Sequence, residues 1–184
     1  MPRIISIGTD GFLQQRPAPE FELLRGEVKS FPGSSLDKPK LLEGLATDCA
    51  EFEAEFSGAG TFGFELRRSA EGKPGLVVAI QTSFRGAYIN VGNARAFVGN
   101  SNRYRLRVFL DKRCVEVFVN DGTTALYNWF DAGPADLGVS VFGQPAEAPA
   151  FLKAKIPAPP PPRLESLRVW QIKAAQFSLD QFHL

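Results

Sequence analysis

Five side chains, on a predicted hairpin and on the strand after it, have the chemistry of a saccharide-binding site. Residues 104–122, YRLRVFLDKRCVEVFVNDG, alternate apolar and polar positions around a charged turn, and TALYNWF follows at 124–130. Guanidinium, carboxylate and amide groups bind vicinal hydroxyls, and aromatic rings contact the C–H groups of a sugar ring. The candidate carbohydrate-binding residues are Arg107, Glu116, Asn120, Tyr127 and Trp129.

The same face of the hairpin has a second interpretation, as a packing surface. With residues 112–113 at the turn, Leu110 faces Val115, and the aliphatic positions on that side form one strip for the core. Phe109 and Phe118 then lie on the opposite side, among charged residues. Another layer of the protein could cover these rings and leave an Arg–Glu pair at its rim. Spacing alone leaves both interpretations open.

The sequence gives little support to catalysis. Its single histidine, His183, is the penultimate residue, which argues against a Ser-His-Asp or Cys-His arrangement. No G-x-S-x-G, P-loop or G-x-G-x-x-G motif occurs. A row of glutamates in EFEAEF, residues 51–56, could in principle hold a hard cation or act as in a glycosidase, but we expect a solvated strand face. We therefore predict no catalytic residue, no metal ligand and no cofactor.

Charge and cysteine content exclude several further classes. The 184 residues carry a formal net charge of +1, which gives no electrostatic reason to bind nucleic acid or an anionic membrane. The first residues, MPRIISIGTDG, lack the layout of a signal peptide, so the localisation stays open. Cys49 and Cys114 lack zinc-site spacing and are expected to be buried thiols, although one disulfide remains an alternative.

Alternation with a period of two runs through most of the chain after residue 27. Nine or ten short strands with turn signals between them, and no strand–helix alternation, predict an all-β fold. We expect a two-sheet antiparallel β-sandwich of jelly-roll or concanavalin type with little helix. Only residues 36–46 and 174–182 have helical character. Residues 1–26 are predicted to be a connector, and residues 27–184 the sandwich, with a proline-rich loop at 144–163.

Several motifs give the chain a family resemblance. LRVFLDKRCVEVFVNDG (106–122), LGVSVFG (137–143) and LESLRVWQIK (164–173) resemble the C-terminal β-sandwich of glycoside hydrolase family 32, which contains invertases, levanases, inulinases and other β-fructofuranosidases. Residues 2–26 are similar to the exit from that family's propeller domain, whereas the loop at 144–163 is longer and richer in proline. The resemblance therefore covers nearly the whole chain.

The resemblance implies a domain without its own catalytic machinery. In the family, the nucleophile, the transition-state stabiliser and the acid/base belong to propeller motifs that this sequence lacks, so no catalytic residue carries over. The implied partner is a propeller catalytic domain, in cis or in trans, which the sandwich would stabilise. Two alternatives remain: a free-standing module that binds fructosides such as levan, inulin or sucrose, and an interaction subunit of a split glycosidase.

Overall fold

Antiparallel strands form most of the chain. A computed structural model describes residues 1–9, 11–146 and 158–173. Within them lie two short 3₁₀ helices, Pro19–Leu24 and Asn120–Gly122. The strands of the described residues, numbered in chain order, are β1 Arg3–Ile7, β2 Leu13–Pro17, β3 Arg25–Ser35, β4 Lys40–Ala46, β5 Cys49–Ser57, β6 Gly60–Arg68, β7 Leu76–Ser83, β8 Gly86–Val91, β9 Ala94–Gly99, β10 Arg103–Asp111, β11 Cys114–Val119, β12 Thr124–Trp129, β13 Gly138–Pro145 and β14 Arg163–Ile172.

Two six-stranded antiparallel sheets form a β-sandwich. The first sheet has the strand order β12-β11-β10-β5-β14-β3, and the second has the order β4-β13-β6-β7-β8-β9. Strands β1 and β2 form a separate two-stranded ribbon, which we call the N-terminal hairpin. The all-β, two-sheet antiparallel fold predicted from the sequence is therefore confirmed.

The hairpin of β10 and β11 has the predicted register. Leu110 pairs with Val115 and Leu106 pairs with Val119, with residues 112–113 at the turn. The four side chains are at most 2% exposed and belong to the core between the sheets. Because side chains alternate between the faces of a strand, this register sends the charged and aromatic positions to the outer face of the first sheet.

An aromatic cluster fills one part of the core. Phe56 and Phe64 have ring centroids 5.4 Å apart, and Phe62 lies 5.7 Å from Phe56 and 6.0 Å from Tyr104. All four side chains are almost completely buried. The predicted period-two alternation is confirmed in this part of the chain, because Phe56 of β5 and Phe62 and Phe64 of β6 all point into this cluster.

The helical expectation for residues 36–46 is wrong. The segment ends in strand β4, which pairs with β13 and buries Leu42 to 3% exposure. Gly44 has φ +71°, a conformation that interrupts a right-handed helix. Pairing within the sheet thus overrides a weak local preference for helix. The second helical expectation, for residues 174–182, and residues 147–157 of the proline-rich loop lie outside the described residues.

A buried arginine joins two loops at one end of the sandwich. The side chain of Arg67 is 2% exposed and donates hydrogen bonds to the carbonyls of Asp136 at 2.5 Å, Gly133 at 2.8 Å and Lys112. Its backbone is left-handed, with φ 53°. One guanidinium therefore donates to three carbonyls from two separate loops.

The N-terminal hairpin lies against the first sheet at Gly122. A Cβ atom at this position would lie 1.9 Å from the carbonyl oxygen of Gln15, and the backbone φ is +87°. Close by, Arg16 Nε donates to the carbonyl of Asp121 at 3.3 Å. Only glycine permits this approach of β2 to the turn after β11.

Candidate functional site

The outer face of the first sheet carries alternating rows of arginines and glutamates. Strand β5 lies between β10 and β14, so Glu53 pairs in register with Arg107 on one side and Arg168 on the other. One row further along, Glu55 pairs with Arg105. We call this surface the Arg–Glu face and define it by Glu51, Glu53, Glu55, Arg105, Arg107 and Arg168.

Glu51 is the buried centre of this face. Its side chain is 0% exposed, and its carboxylate accepts hydrogen bonds from Arg25 Nε at 2.9 Å, Arg25 Nη2 at 2.6 Å and Arg107 Nε at 2.6 Å. The bonds from Arg25 to Glu51 raise the pKa of this guanidinium above its ordinary value, against the opposing effect of burial. The expectation of a solvated glutamate face is therefore wrong at Glu51, whose buried carboxylate is bonded by two arginines.

The N-terminal segment, which consists of β1, β2 and the 3₁₀ helix Pro19–Leu24, covers the aromatic positions of the outer face. Phe21 contacts Phe109 edge-on with ring centroids 6.1 Å apart, and the Arg3 guanidinium lies 5.2 Å from the ring centre of Phe118. Phe109 is 6% exposed and Phe118 is 3% exposed. The two phenylalanines thus lie beneath another layer, as the packing interpretation of the hairpin predicts.

Two of the five predicted carbohydrate-binding residues have charged partners within the protein. Besides its bond to Glu51, Arg107 has Nη2 3.6 Å from Glu22 Oε1, and this nitrogen is buried without a hydrogen bond. Glu116 accepts hydrogen bonds from Arg3 Nη2 at 2.8 Å and from the amino group of Met1 at 2.5 Å. The Glu116 carboxylate therefore helps to hold β1 against the sheet.

The other three predicted residues are scattered around the edge of the sheet. Asn120 lies in the turn after β11 with φ 48°, and its Oδ1 accepts the backbone N–H of Arg105 at 3.1 Å. Tyr127 is 60% exposed and neighbours Glu116 in register, whereas Trp129 is 70% exposed at the end of the edge strand β12. The structure brings Glu116 and Tyr127 side by side but does not gather the five residues around one cavity.

A cavity of about 520 Å³ lies elsewhere on the Arg–Glu face, between β2 and the first sheet. Its lining combines residues of the N-terminal hairpin, the sheet and the turn after β11: Gln15, Arg16, Pro17, Glu53, Ala54, Glu55, Arg105, Leu106, Arg107, Phe118, Asp121, Gly122, Ser166 and Arg168. Arg107 is the one predicted site residue among them. For the lining residues of β5 and β14, the sequence signal is the alternation of EFEAEF and LESLRVWQIK. This alternation indicates a shared site only when β5 is known to lie between β10 and β14.

The thiols and carboxylates of the described residues form no metal-binding group of three or more His, Cys, Asp or Glu. Cys49 and Cys114 are free and half-buried, and each neighbours Asp111 in register from opposite sides. Two strand spacings of about 4.8 Å separate them, which is too far for a disulfide. Burial raises the pKa of both thiols. Among the described residues, no helix is both long and apolar enough to span a membrane.

A comparison with protein families identifies the domain. Residues 20–157 match the family model described as glycosyl hydrolases family 32 C terminal. The chain belongs to this family. This glycosyl hydrolase family 32 C-terminal domain is 28% identical over 153 residues to a levanase of Bacillus sp. (strain L7), covering 72% of the chain and 16% of the levanase. It is 31% identical over 126 residues to a sucrose-6-phosphate hydrolase of Klebsiella pneumoniae, covering 67% of the chain and 24% of that protein.

Solved structures of larger proteins contain the same fold. The glycosyl hydrolase family 32 C-terminal domain aligns with fructan 1-exohydrolase IIa from Cichorium intybus with a TM-score of 0.74 and 17% identity, over 96% of this chain and 41% of that one. A sucrose-6-phosphate hydrolase from Lactobacillus gasseri aligns with a TM-score of 0.65 and 18% identity, over 93% and 33% of the two chains. The domain thus spans less than half of these proteins, and at such identities the likeness shows the fold alone.

Proposed function

We propose that this chain is the non-catalytic C-terminal sandwich of a β-fructofuranosidase-type glycoside hydrolase and that it stabilises a propeller catalytic domain by docking on it. Its relatives are hydrolases of levan and sucrose 6-phosphate by name, and the chain matches only 16% and 24% of their lengths. The remaining length in such proteins leaves room for a catalytic domain. In this proposal, residues 1–26 are the connector between the two domains.

An exposed apolar surface on the N-terminal hairpin is the observation that carries the proposal. Ile5, Ile7 and Leu13 share one face of the ribbon, because Ile7 pairs with Leu13 and Ile5 pairs with Gln15. Their exposed fractions are 65%, 68% and 51%. Clustered exposed apolar side chains of this kind mark an interaction surface in a folded protein.

The hairpin also needs a partner for its own stability. An isolated two-stranded ribbon is marginal in water. One end of this hairpin is held by Arg3, which bonds Glu116, and by the close contact of Gln15 with Gly122. The apolar end, around Ile7 and Leu13, lacks such cover. A propeller domain that buried these side chains would order the hairpin and gain hydrophobic free energy at the same time.

Co-expression tests the docking. The chain is produced together with family 32 propeller domains from its own source organism, and complex formation is measured by analytical ultracentrifugation. The informative variant replaces Ile5, Ile7 and Leu13 with threonine, which keeps strand propensity but removes apolar surface. The matched control is Phe84→Thr, which removes an 86% exposed side chain from the β7–β8 turn of the second sheet.

Complex formation that the triple variant loses and Phe84→Thr retains supports the docking. A propeller that is equally stable with and without the chain, or that binds the triple variant equally well, contradicts it. Activity provides a separate check. The pure chain should release no fructose from sucrose, inulin or levan, and measurable release that persists through repeated purification would disprove a non-catalytic role.

A further inference from the structure

We propose that the cavity between β2 and the Arg–Glu face binds a neutral saccharide. Its volume of about 520 Å³ falls within the range of small-molecule sites, roughly 300–1,000 Å³. Most of its floor belongs to β5, β10 and β14, which are interior strands of the first sheet. Interior strands hold their side chains in fixed relative positions, as a binding site requires. This inference goes beyond docking on a propeller and does not depend on it.

The floor alternates hydrogen-bond donors and acceptors across the strands, whereas each strand carries one kind of group: two glutamates on β5 and two arginines on β10. Across the strands, Arg168, Glu53 and Arg107 form one row, and Ser166, Glu55 and Arg105 form the next. Neighbouring strands lie about 4.8 Å apart, and alternate residues along a strand lie about 6.7 Å apart. The hydroxyls of a sugar ring both donate and accept hydrogen bonds, and a ring with its hydroxyls extends over distances comparable to these spacings. Each ring hydroxyl can therefore accept from a guanidinium and donate to a carboxylate.

The groups of the floor and rim remain accessible to a ligand. The side chains of Arg105 and Arg168 are 61% and 59% exposed, and that of Asp121 is 48% exposed. Glu53 and Glu55 are about a quarter exposed, at 28% and 26%. A saccharide would therefore meet charged groups that retain some solvent contact, while the fully buried Glu51 holds the Arg107 side chain of the floor in place by accepting a hydrogen bond from its Nε at 2.6 Å.

The balance of charges favours a neutral ligand over an anionic one. Around the cavity, the guanidinium of Arg168 bonds Glu53 at 2.6 Å and that of Arg105 bonds Asp121 at 2.5 Å. Glu53 and Glu55 occupy the middle of the floor, flanked by the arginines. A phosphate group could bond the arginines only by approaching these two carboxylates, which would repel it. A sugar hydroxyl can bond both the guanidiniums and the carboxylates without repulsion.

A titration of the full chain followed by ¹H–¹⁵N NMR tests the site. The probes are fructose, sucrose, short inulin oligosaccharides and short levan oligosaccharides, with inorganic phosphate and sucrose 6-phosphate as anionic comparisons. The variants are Glu55→Gln, which keeps the shape of the side chain, and Arg168→Ala. The control is Arg95→Ala on β9 of the second sheet, whose guanidinium stacks 4.1 Å from the ring centre of Tyr88.

We expect saturable shifts at the amides of 53–55, 105–107 and 166–168 with at least one neutral saccharide. Loss of a hydrogen bond to a charged group should weaken this binding about tenfold or more in Glu55→Gln and in Arg168→Ala, and Arg95→Ala should bind as the parent does. Three results would overturn the inference: no saturation with any neutral probe, shifts confined to the second sheet, or tighter binding of phosphate than of every sugar. Parent-like affinity in both folded cavity variants would overturn it as well.

Discussion

Removal of the Glu51 carboxylate should destabilise the domain more than removal of any other glutamate of the Arg–Glu face. The Glu51→Ala variant loses three charge-assisted hydrogen bonds and leaves Arg25 and Arg107 facing a void. Breaking one side of a buried ion pair typically costs about 3–5 kcal/mol. Arg25 retains Glu53 at 2.7 Å, and the two arginines are 18% and 23% exposed. We therefore expect the lower end, about 3 kcal/mol.

Urea unfolding at neutral pH measures this loss, together with two comparison variants. Glu51→Gln retains one acceptor and the packing of the side chain, so it should cost about half as much as Glu51→Ala. Glu55→Gln is the matched control, because Glu55 is 26% exposed and its partner Arg103 is 66% exposed. A surface pair of this kind is worth less than about 1 kcal/mol.

The thermal midpoint gives an independent measure of the same effect. For a domain of this size, a loss of 3 kcal/mol should lower Tm by roughly 6–12 °C. Equal stability of Glu51→Ala and Glu55→Gln would refute the reasoning, because it would mean that burial of the carboxylate contributes nothing. A changed m-value would instead indicate an altered unfolded or native state, so the m-values of the variants must agree for the comparison to hold.

Three further predictions concern single positions. Gly122→Ala should displace β2 from the sandwich, because its Cβ would meet the carbonyl of Gln15; faster proteolysis within residues 1–26 than in the parent would report this, and an unchanged cleavage rate would contradict it. Arg67→Ala should cost about 3 kcal/mol, because the three hydrogen bonds from the buried guanidinium to carbonyls are lost. Arg67→Gly should cost about 1 kcal/mol less because φ is positive, and chemical unfolding in which glycine is the worse replacement would exclude backbone strain there. Burial raises the pKa of the Cys49 and Cys114 thiols, so alkylation by iodoacetamide should have its midpoint at higher pH in the folded chain than in urea, and coincident pH–rate curves would refute this. The stability that these neutral thiols contribute below their unfolded pKa should decline as the pH rises through their folded pKa.

The parts of the fold that depend on near neighbours in sequence were predictable. The register of β10 with β11 followed from alternation and from a short turn, and Leu110 indeed pairs with Val115. Strand β3 was not foreseen, because most of its side chains are exposed and its strand structure depends on pairing with β14. Local pattern carries little information about an edge strand that is recruited by a distant segment.

The candidate site required information that alternation does not contain. The sequence offered two interpretations of the outer face of the hairpin, and the choice depended on where residues 1–25 lie. Phe21 and Arg3 contact Phe109 and Phe118, which agrees with the packing interpretation of these two rings, and the saccharide interpretation of the other side chains stays a prediction. The cavity depends on the order of β10, β5 and β14 in the sheet, which composition does not specify. Arg107 belonged to the predicted set because it is on the hairpin itself, whereas Arg168 and Glu55 come from other parts of the chain.

The position of β14 between β5 and β3 determines when the first sheet can be completed during folding. Arg168 of β14 bonds Glu53 of β5, a residue 115 positions earlier, and β14 also separates β5 from β3. The first sheet therefore remains split until residues 163–172 have been synthesised. In contrast, β6, β7, β8 and β9 are joined in sequence order by hairpins. Local pairs form quickly and distant ones slowly, so strands β6 to β9 should gain protection from hydrogen exchange before β3 does during refolding. The edges of β5 and β3 stay unpaired until then, and they are where the nascent chain is open to aggregation.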